Sequence, residues 1–301
     1  MKEGNLEGII VPLITPIHDD ETPNYSELEI LTDSVINGGV NAIFANSTTG
    51  EFARFHCSEQ VEILKTVVRV SAGRVPVLAG VSSCGTKLTI EKAQMAVSSG
   101  ADYIVTTFPY YFPTTSHYEQ VSFLRDLITA VDLPVILYNI PAVVGYSVSA
   151  DVLDAIVDMP GFYGIKDTSG DRKIVDMELN QFHDRIKVFI GDERMTLCGL
   201  MRGCDGVVPS MANCFPKIWK KIWEASKKKD WDECRSQCEI VDKMNQMNKF
   251  SDSWMSPNIW RKEALKQMKI IGSAFTKPSN KMTKEDREII SDFVNFYMEK
   301  Y

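Results

Sequence analysis

Short apolar runs recur along this chain, and each leads into a stretch of helical periodicity. The runs are 8–15 (GIIVPLIT), 40–45 (VNAIFA), 75–80 (VPVLAG), 101–106 (ADYIVT), 134–138 (PVILY), 161–165 (GFYGI), 186–190 (IKVFI) and 206–208 (GVV). They lie about thirty residues apart, the length of one strand–helix unit. Each is apolar nearly throughout, the pattern of strands buried on both faces of a parallel sheet. The intervening segments carry helix signals. Ser26 precedes ELEILTDSVINGG, with Glu29 three residues on and Gly38 and Gly39 closing it, and Ser58 opens SEQVEILKTVVRVSAG in the same way. Segments 86–100, 116–131, 149–158, 170–183, 192–203 and 213–229 read as the remaining helices of the repeat. Eight units without a break in composition predict an α/β fold, a closed (β/α)8 barrel, over a doubly wound sheet. No GxGxxG follows any of the runs, which argues against dinucleotide binding.

The barrel domain is expected over 1–229, with 230–301 a helical segment packed on it. That segment reads as helices 231–249, 257–271 and 283–299, with a loop at 279–283. A chain of 301 residues that is 44% hydrophobic has ample material for a large core. The net charge is −7, and the longest basic run is Lys227, Lys228 and Lys229. Nucleic-acid binding has no electrostatic footprint in such a chain. No apolar run approaches the ~20 residues that span a membrane. The opening MKEGNLEGIIVPLITP lacks a signal-peptide core and cleavage site. Seven cysteines, an odd number scattered through strand and helix patterns, indicate reduced thiols and a cytoplasmic location. Cys234 and Cys238 lie one helical turn apart with nothing to complete a zinc set, and His18, His56, His117 and His183 show no ligand spacing, so no metal is expected.

In such a barrel, chemistry is built where the strands end at their carboxyl side. The second run leads into ANSTTGEF, with Thr48, Thr49 and Gly50; the fourth into TTFPYYFP, with Tyr110 and Tyr111. The fifth ends at Tyr138, the sixth at Lys166 followed by Asp167 and Thr168. The seventh ends at Gly191, Asp192 and Glu193, and the eighth runs into Ser210. The first, at Thr15 and Pro16, offers little. A lysine at the end of a buried strand is either an interior cation that reaches solvent or pairs with Asp167, or a desolvated amine able to attack a carbonyl. With its companions the second reading is favoured. Lys166 would form an imine with a 2-oxo acid, Thr48 and Thr49 would hold the carboxylate, and Tyr138 would carry protons.

TTGE after the second strand, PYY after the fourth, YNIP at the fifth and GIKDTSG at the sixth resemble the N-acetylneuraminate lyase and dihydrodipicolinate synthase superfamily of class I, pyruvate-dependent aldolases. The resemblance runs in order from Gly8 through the C-terminal helices. It implies a TIM barrel with Lys166 as the Schiff-base residue, Tyr138 as the acid/base, and Thr48 and Thr49 on the pyruvate carboxylate. It also implies that the Val208 carbonyl faces the lysine, and that no cofactor is needed beyond the covalent pyruvate imine. In the synthase branch a tyrosine at the position of Tyr111 comes from a neighbouring subunit and completes a proton relay with Thr48 and Tyr138. A homotetramer, a dimer of dimers, is the usual assembly.

Two departures bear on the branch. Dihydrodipicolinate synthases carry an arginine two residues after the proline of YN-x-P, where it grips the aldehyde substrate's carboxylate; here that position is Val143. Where that branch places an Asn and a Glu for feedback by lysine, Cys84 and Leu88 stand. Neuraminate lyases and aldolases of 2-keto-3-deoxy sugar acids have small or apolar residues at the arginine position. They hold a polyol with hydroxyls and acids around the seventh and eighth strands, where this chain offers Asp192, Glu193, Thr168 and Ser210, with Gly191 beside them among the substrate-binding residues expected. The expected function is therefore a pyruvate-forming lyase for a sugar-acid-like substrate, with the small-molecule partners a 2-oxo acid and an aldehyde. Dihydrodipicolinate synthase is the alternative.

Overall fold

A computed structural model describes residues 5–250, 258–272, 275–278 and 282–301. Eight parallel strands close a barrel in chain order. They are β1 (Gly8–Pro12), β2 (Ala42–Ala45), β3 (Val77–Gly80), β4 (Tyr103–Thr106), β5 (Val135–Asn139), β6 (Phe162–Asp167), β7 (Lys187–Ile190) and β8 (Gly206–Val207). The α-helices are α1 (Tyr25–Asn37), α2 (Cys57–Ser71), α3 (Thr86–Ser98), α4 (His117–Thr129), α5 (Pro141–Val144), α6 (Ala150–Ile156), α7 (Arg172–Gln181), α8 (Thr196–Met201), α9 (Pro216–Lys227), α10 (Trp231–Asn245), α11 (Asn258–Gln267) and α12 (Lys284–Lys300). Pro257 and residues 279–281, part of the expected helix and loop near the C-terminus, lie outside the described residues.

At the first two helices the capping residue is not the serine that the sequence suggests. Asn24, not Ser26, caps α1: its side chain accepts from the Glu27 N–H, and the Ser26 hydroxyl donates to it at 2.8 Å. In α2 the cap is His56, whose N–H donates to the Glu59 carboxylate three residues on at 2.8 Å, so the helix begins one residue before Ser58. An acceptor within reach of the first free N–H groups sets each start, and here the residue that supplies it is not the nearest serine.

Strand alternation decides which side chains enter the barrel. Ile10, Ala42, Phe44, Leu78, Tyr103, Val105, Ile136, Tyr138, Phe189 and Val208 form one buried cluster, taking every second residue along a strand. The seam between β1 and β8 pairs Gly8 with Gly206. A Cβ on Gly206 would meet the Gly8 carbonyl oxygen at 2.3 Å, so a larger residue would force the last pair of strands apart.

The chain falls into two compact units. One takes the chain up to Ile10, Asn41–Ala45 and Pro76–Pro209; the other takes Val11–Val40, Asn46–Val75 and Ser210–Tyr301. The first contains nearly all of the strands and the central apolar cluster. Within the second, α10 packs on α9, and Trp260 and Tyr297 lie against Phe215 with ring centroids 6.5 and 5.0 Å away. The seven cysteines are free thiols, and no described helix is long and apolar enough to cross a membrane.

Candidate active site

Lys166 sits within β6, one residue before its end, opposite Tyr138 of β5 in the parallel register. Alternation turns it inward with the apolar cluster. It is 6% exposed, and its Nζ lies 3.5 Å from the centre of the Tyr138 ring and 5.3 Å from that of Phe44. With Ile10, Phe44, Leu78, Val105, Ile136, Phe189 and Val208 it lines a cavity of about 10 Å³, room for at most one water and almost without polar lining. Among the described residues no carboxylate forms an ion pair with it. Burial pushes its ammonium pKa down, and the Tyr138 phenol and then Asp167 oppose that push. The result is an amine that loses its proton more readily than a surface lysine and is aimed at a tyrosine.

Asp167 follows on the opposite face of the strand and is also buried. Its carboxylate accepts from Asn139 Nδ2 at 2.6 Å, from the Ser169 N–H at 3.0 Å and from the Ser169 hydroxyl at 2.7 Å. Asn139 Oδ1 accepts in turn from the Val148 N–H at 3.1 Å. Glu178, fully buried on α7, has the Asp167 carboxyl as its charged neighbour. Burial raises the pKa of both acids, and for Glu178, with Asp167 adding to it, the rise is large. Asp167 is thus tied to β5 and to the turn at Ser169, and makes no ion pair with Lys166.

Thr168 and Gly191 complete the floor. The Thr168 N–H donates to the Asn139 carbonyl at 2.8 Å, and its hydroxyl is buried without a partner. A Cβ on Gly191 would stand 2.1 Å from that hydroxyl and 2.8 Å from Lys166 Cε, so only glycine lets both side chains occupy this place. Asp192, expected to meet a polyol, is engaged by its own neighbour. Arg194 donates to it through Nε at 3.0 Å and Nη2 at 2.6 Å, and the Arg194 N–H caps the turn on it. Val208 is buried beside Lys166 in the cavity wall. Tyr111 stands apart: it is 73% exposed and packs edge-on against Phe112. The neighbouring Tyr110 is half-buried and hydrogen-bonded to the Cys84 thiol, with its phenol pushed up to about 12, burial being the main cause. Val143 lies on the single turn α5 and packs on the central cluster.

Thr48, Thr49 and Ser210 belong to the second unit. The Thr48 carbonyl accepts from the Glu51 N–H, and the Thr49 carbonyl from Asn258 Nδ2 at 2.7 Å. The buried Lys262 ammonium pairs with Glu51 at 2.9 Å, and the Thr15 hydroxyl donates to the Gly50 carbonyl at 2.9 Å. The loop after β2 is therefore braced by β1's following turn and by α11. Ser210 opens a short 3-10 turn, and its carbonyl accepts from Asn213. Sequence reasoning passed over Asn139, Arg194 and Glu178. Glu178 had a signal: it shares the buried stripe of α7 with Val175 and Leu179, where periodicity calls for an apolar residue.

A parallel eight-stranded barrel that presents a desolvated lysine against a tyrosine can support attack of an amine on a carbonyl. Comparison with known proteins gives the family. The profile of the Dihydrodipicolinate synthetase family matches residues 5–296, and the chain belongs to that family. A 4-hydroxy-tetrahydrodipicolinate synthase of Clostridium perfringens is 34% identical over 220 residues, 72% of this chain and 74% of that protein. An uncharacterised DapA-like lyase of Halobacterium salinarum is 30% identical over 241 residues, 78% of this chain and 77% of that one. Among solved structures, a dihydrodipicolinate synthase of Acinetobacter baumannii complexed with pyruvate superposes with a TM-score of 0.89 at 26% identity, covering 97% of this chain and 99% of that one. CdNal of Clostridium difficile, in complex with mannosamine, shares the fold with a TM-score of 0.90 at 20% identity, over 98% and 100% of the two chains. The protein is a lyase of the class I, pyruvate-dependent aldolase type.

Proposed function

We propose that this enzyme releases pyruvate from a 2-keto-3-deoxy sugar acid or an N-acetylneuraminate-like substrate through an imine at Lys166. The observation that carries the reading is the buried, carboxylate-free amine of Lys166 facing Tyr138, with the unpartnered Thr168 hydroxyl beside it. The neutral amine attacks the C2 carbonyl, Tyr138 passes a proton to the carbinol oxygen, and water leaves. The imine nitrogen takes up the electron pair of the C3–C4 bond as that bond breaks. Tyr138 accepts the C4 hydroxyl proton, and the aldehyde departs. Protonation of the enamine at C3 and hydrolysis return pyruvate and free Lys166.

In this reading Thr48 and Thr49 hold the pyruvate carboxylate on a loop already fixed by Asn258 and the Glu51–Lys262 pair. The Val208 carbonyl faces the imine. Thr168, Gly191 and Ser210 line the path of the polyol, and Asp192 acts there as an ion pair with Arg194 instead of a free acid. Val143 supports a neutral aldehyde: a second carboxylate would lose a charge-assisted contact worth ~2–3 kcal/mol. No metal or organic cofactor takes part. Residues 230–301 serve as a helical segment packed on a barrel of residues 1–229. The exposed Tyr111 and Phe112 fit a subunit contact in a cytoplasmic homotetramer, in which Tyr111 would complete a neighbour's proton relay.

The test offers 2-keto-3-deoxygluconate, 2-keto-3-deoxygalactonate, N-acetylneuraminate and, in the condensing direction, pyruvate with aspartate semialdehyde. Pyruvate release from one of the first three supports the reading. Turnover confined to aspartate semialdehyde replaces it with dihydrodipicolinate synthesis, the activity that the synthases among its relatives carry in their names.

A further inference from the structure

Two buried carboxyl groups meet behind the lysine. Asp167 follows Lys166 in β6, and Glu178 reaches it from α7. Neither Glu178 oxygen receives a hydrogen bond from a described N–H or O–H donor. Asp167 already accepts three, from Asn139 and from both donors of Ser169. Two carboxylates cannot hydrogen-bond to each other, and two adjacent buried anions without cations repel. One proton resolves both problems. It belongs on Glu178, because Asp167 has donors to satisfy its negative charge and Glu178 has none.

We propose that Glu178 is a positioning residue for the imine-forming centre: as a carboxylic acid it donates its O–H to Asp167 and thereby locks the β5–β6 pairing that holds Lys166 against Tyr138. The register gives the route. Asn139 pairs with Asp167 one step beyond the Tyr138–Lys166 pair. The acid on α7, the carboxylate on β6 and the amide on β5 form one continuous hydrogen-bonded line across the outer face of these strands, and the reacting pair projects from the inner face. Loss of the Glu178 donor leaves Asp167 with one side unpaired beside the buried stripe of Val175 and Leu179. The strand ends are then free to shift, and proximity of amine and phenol is lost. Lys166, Tyr138 and Asp167 are the titratable groups of β5 and β6 that face or neighbour this line, and Glu178 is the one from α7.

This inference rests on the assignment of Lys166 as the imine residue, and the experiment separates the two. Wild type, Glu178→Gln and Glu178→Leu are compared by infrared spectroscopy near neutral pH and by the rate at which borohydride traps pyruvate. The spectrum of the wild type is expected to contain a protonated-carboxyl stretch that Glu178→Gln removes. The amide of Glu178→Gln can still donate to Asp167, so trapping stays within about threefold of wild type. Glu178→Leu fills the space without a donor and slows trapping at least tenfold while circular dichroism reports an intact fold. Absence of the carboxyl band, or a folded Glu178→Leu variant that traps at the wild-type rate, overturns the proposal. Should Glu178→Leu not fold, loss of trapping in Glu178→Gln despite an unchanged fold overturns it equally. A wild type that shows the band but traps no pyruvate refutes the Lys166 assignment and leaves the acid pair standing.

Discussion

The burial of Lys166 costs the fold stability. Its ammonium is favoured in water and disfavoured in the barrel, so the folded chain gives up this proton below the ordinary lysine range of about 10. At neutral pH the unfolded chain holds that proton more firmly than the folded one, and stability rises with pH until the unfolded lysine has titrated too. Lys166→Met, similar in length and without charge, is expected to raise the midpoint of urea denaturation at pH 7. The gain should shrink as pH approaches and passes 10. A gain of constant size across that range would mean that Lys166 is not desolvated. Tyr138→Phe keeps the ring over the amine and removes the proton carrier. It is expected to lower kcat about 10²-fold or more with little change in the melting temperature; full activity would remove Tyr138 from the mechanism. At this scale the sequence was informative wherever a polar residue ended an apolar run, as at Lys166 and Tyr138. It could not show that Arg194 occupies Asp192, since a contact over two residues in a tight turn depends on side-chain directions that no spacing encodes.

At the scale of elements, the strand–helix repeat was legible because the strands are apolar nearly throughout and several helices open on a side-chain cap, Ser116, Ser149 and Asp171 among them. Strand β6 runs one residue past Lys166, through Asp167, since the ladder continues: the Thr168 and Gly191 N–H groups donate to the Asn139 and Asp167 carbonyls. A charged residue ends an apolar pattern before it ends the hydrogen bonding. The loops, by contrast, are set by long-range side-chain contacts. Asn213 is the clearest. Buried after β8, it accepts from the Ile14 N–H at 2.9 Å and donates to the Pro12 and Ser210 carbonyls, each at 2.9 Å. It does for the segment leaving β1 what a strand neighbour does for the strand itself. Asn213→Ala leaves these backbone groups without their partner, at roughly 1–3 kcal/mol for each buried group left unmade. Chemical denaturation should show a loss of about 2 kcal/mol or more, and a loss below 0.5 kcal/mol, within the scatter of surface substitutions, would show that water replaces it.

At the scale of the molecule, barrel closure in chain order follows from eight units of similar length and from the glycine pair at the β1–β8 seam. Assembly does not follow from a single chain, but its surface carries a marker. Tyr111, Phe112 and Tyr118 are 73%, 72% and 77% exposed, large aromatic area to leave in water. Sedimentation is expected to give about four times the chain mass of 33.9 kDa. The double substitution Tyr111→Ser, Phe112→Ser should shift that mass downward, and unchanged sedimentation would place the subunit contact elsewhere.

In the proposed reaction one buried amine carries the chemistry, and reductive trapping reads that amine itself. Borohydride added with pyruvate is expected to fix one reduced pyruvate per chain, on the peptide that contains Lys166, and to fix none in Lys166→Met. Label on another lysine, or none in an enzyme that turns over substrate, would contradict it.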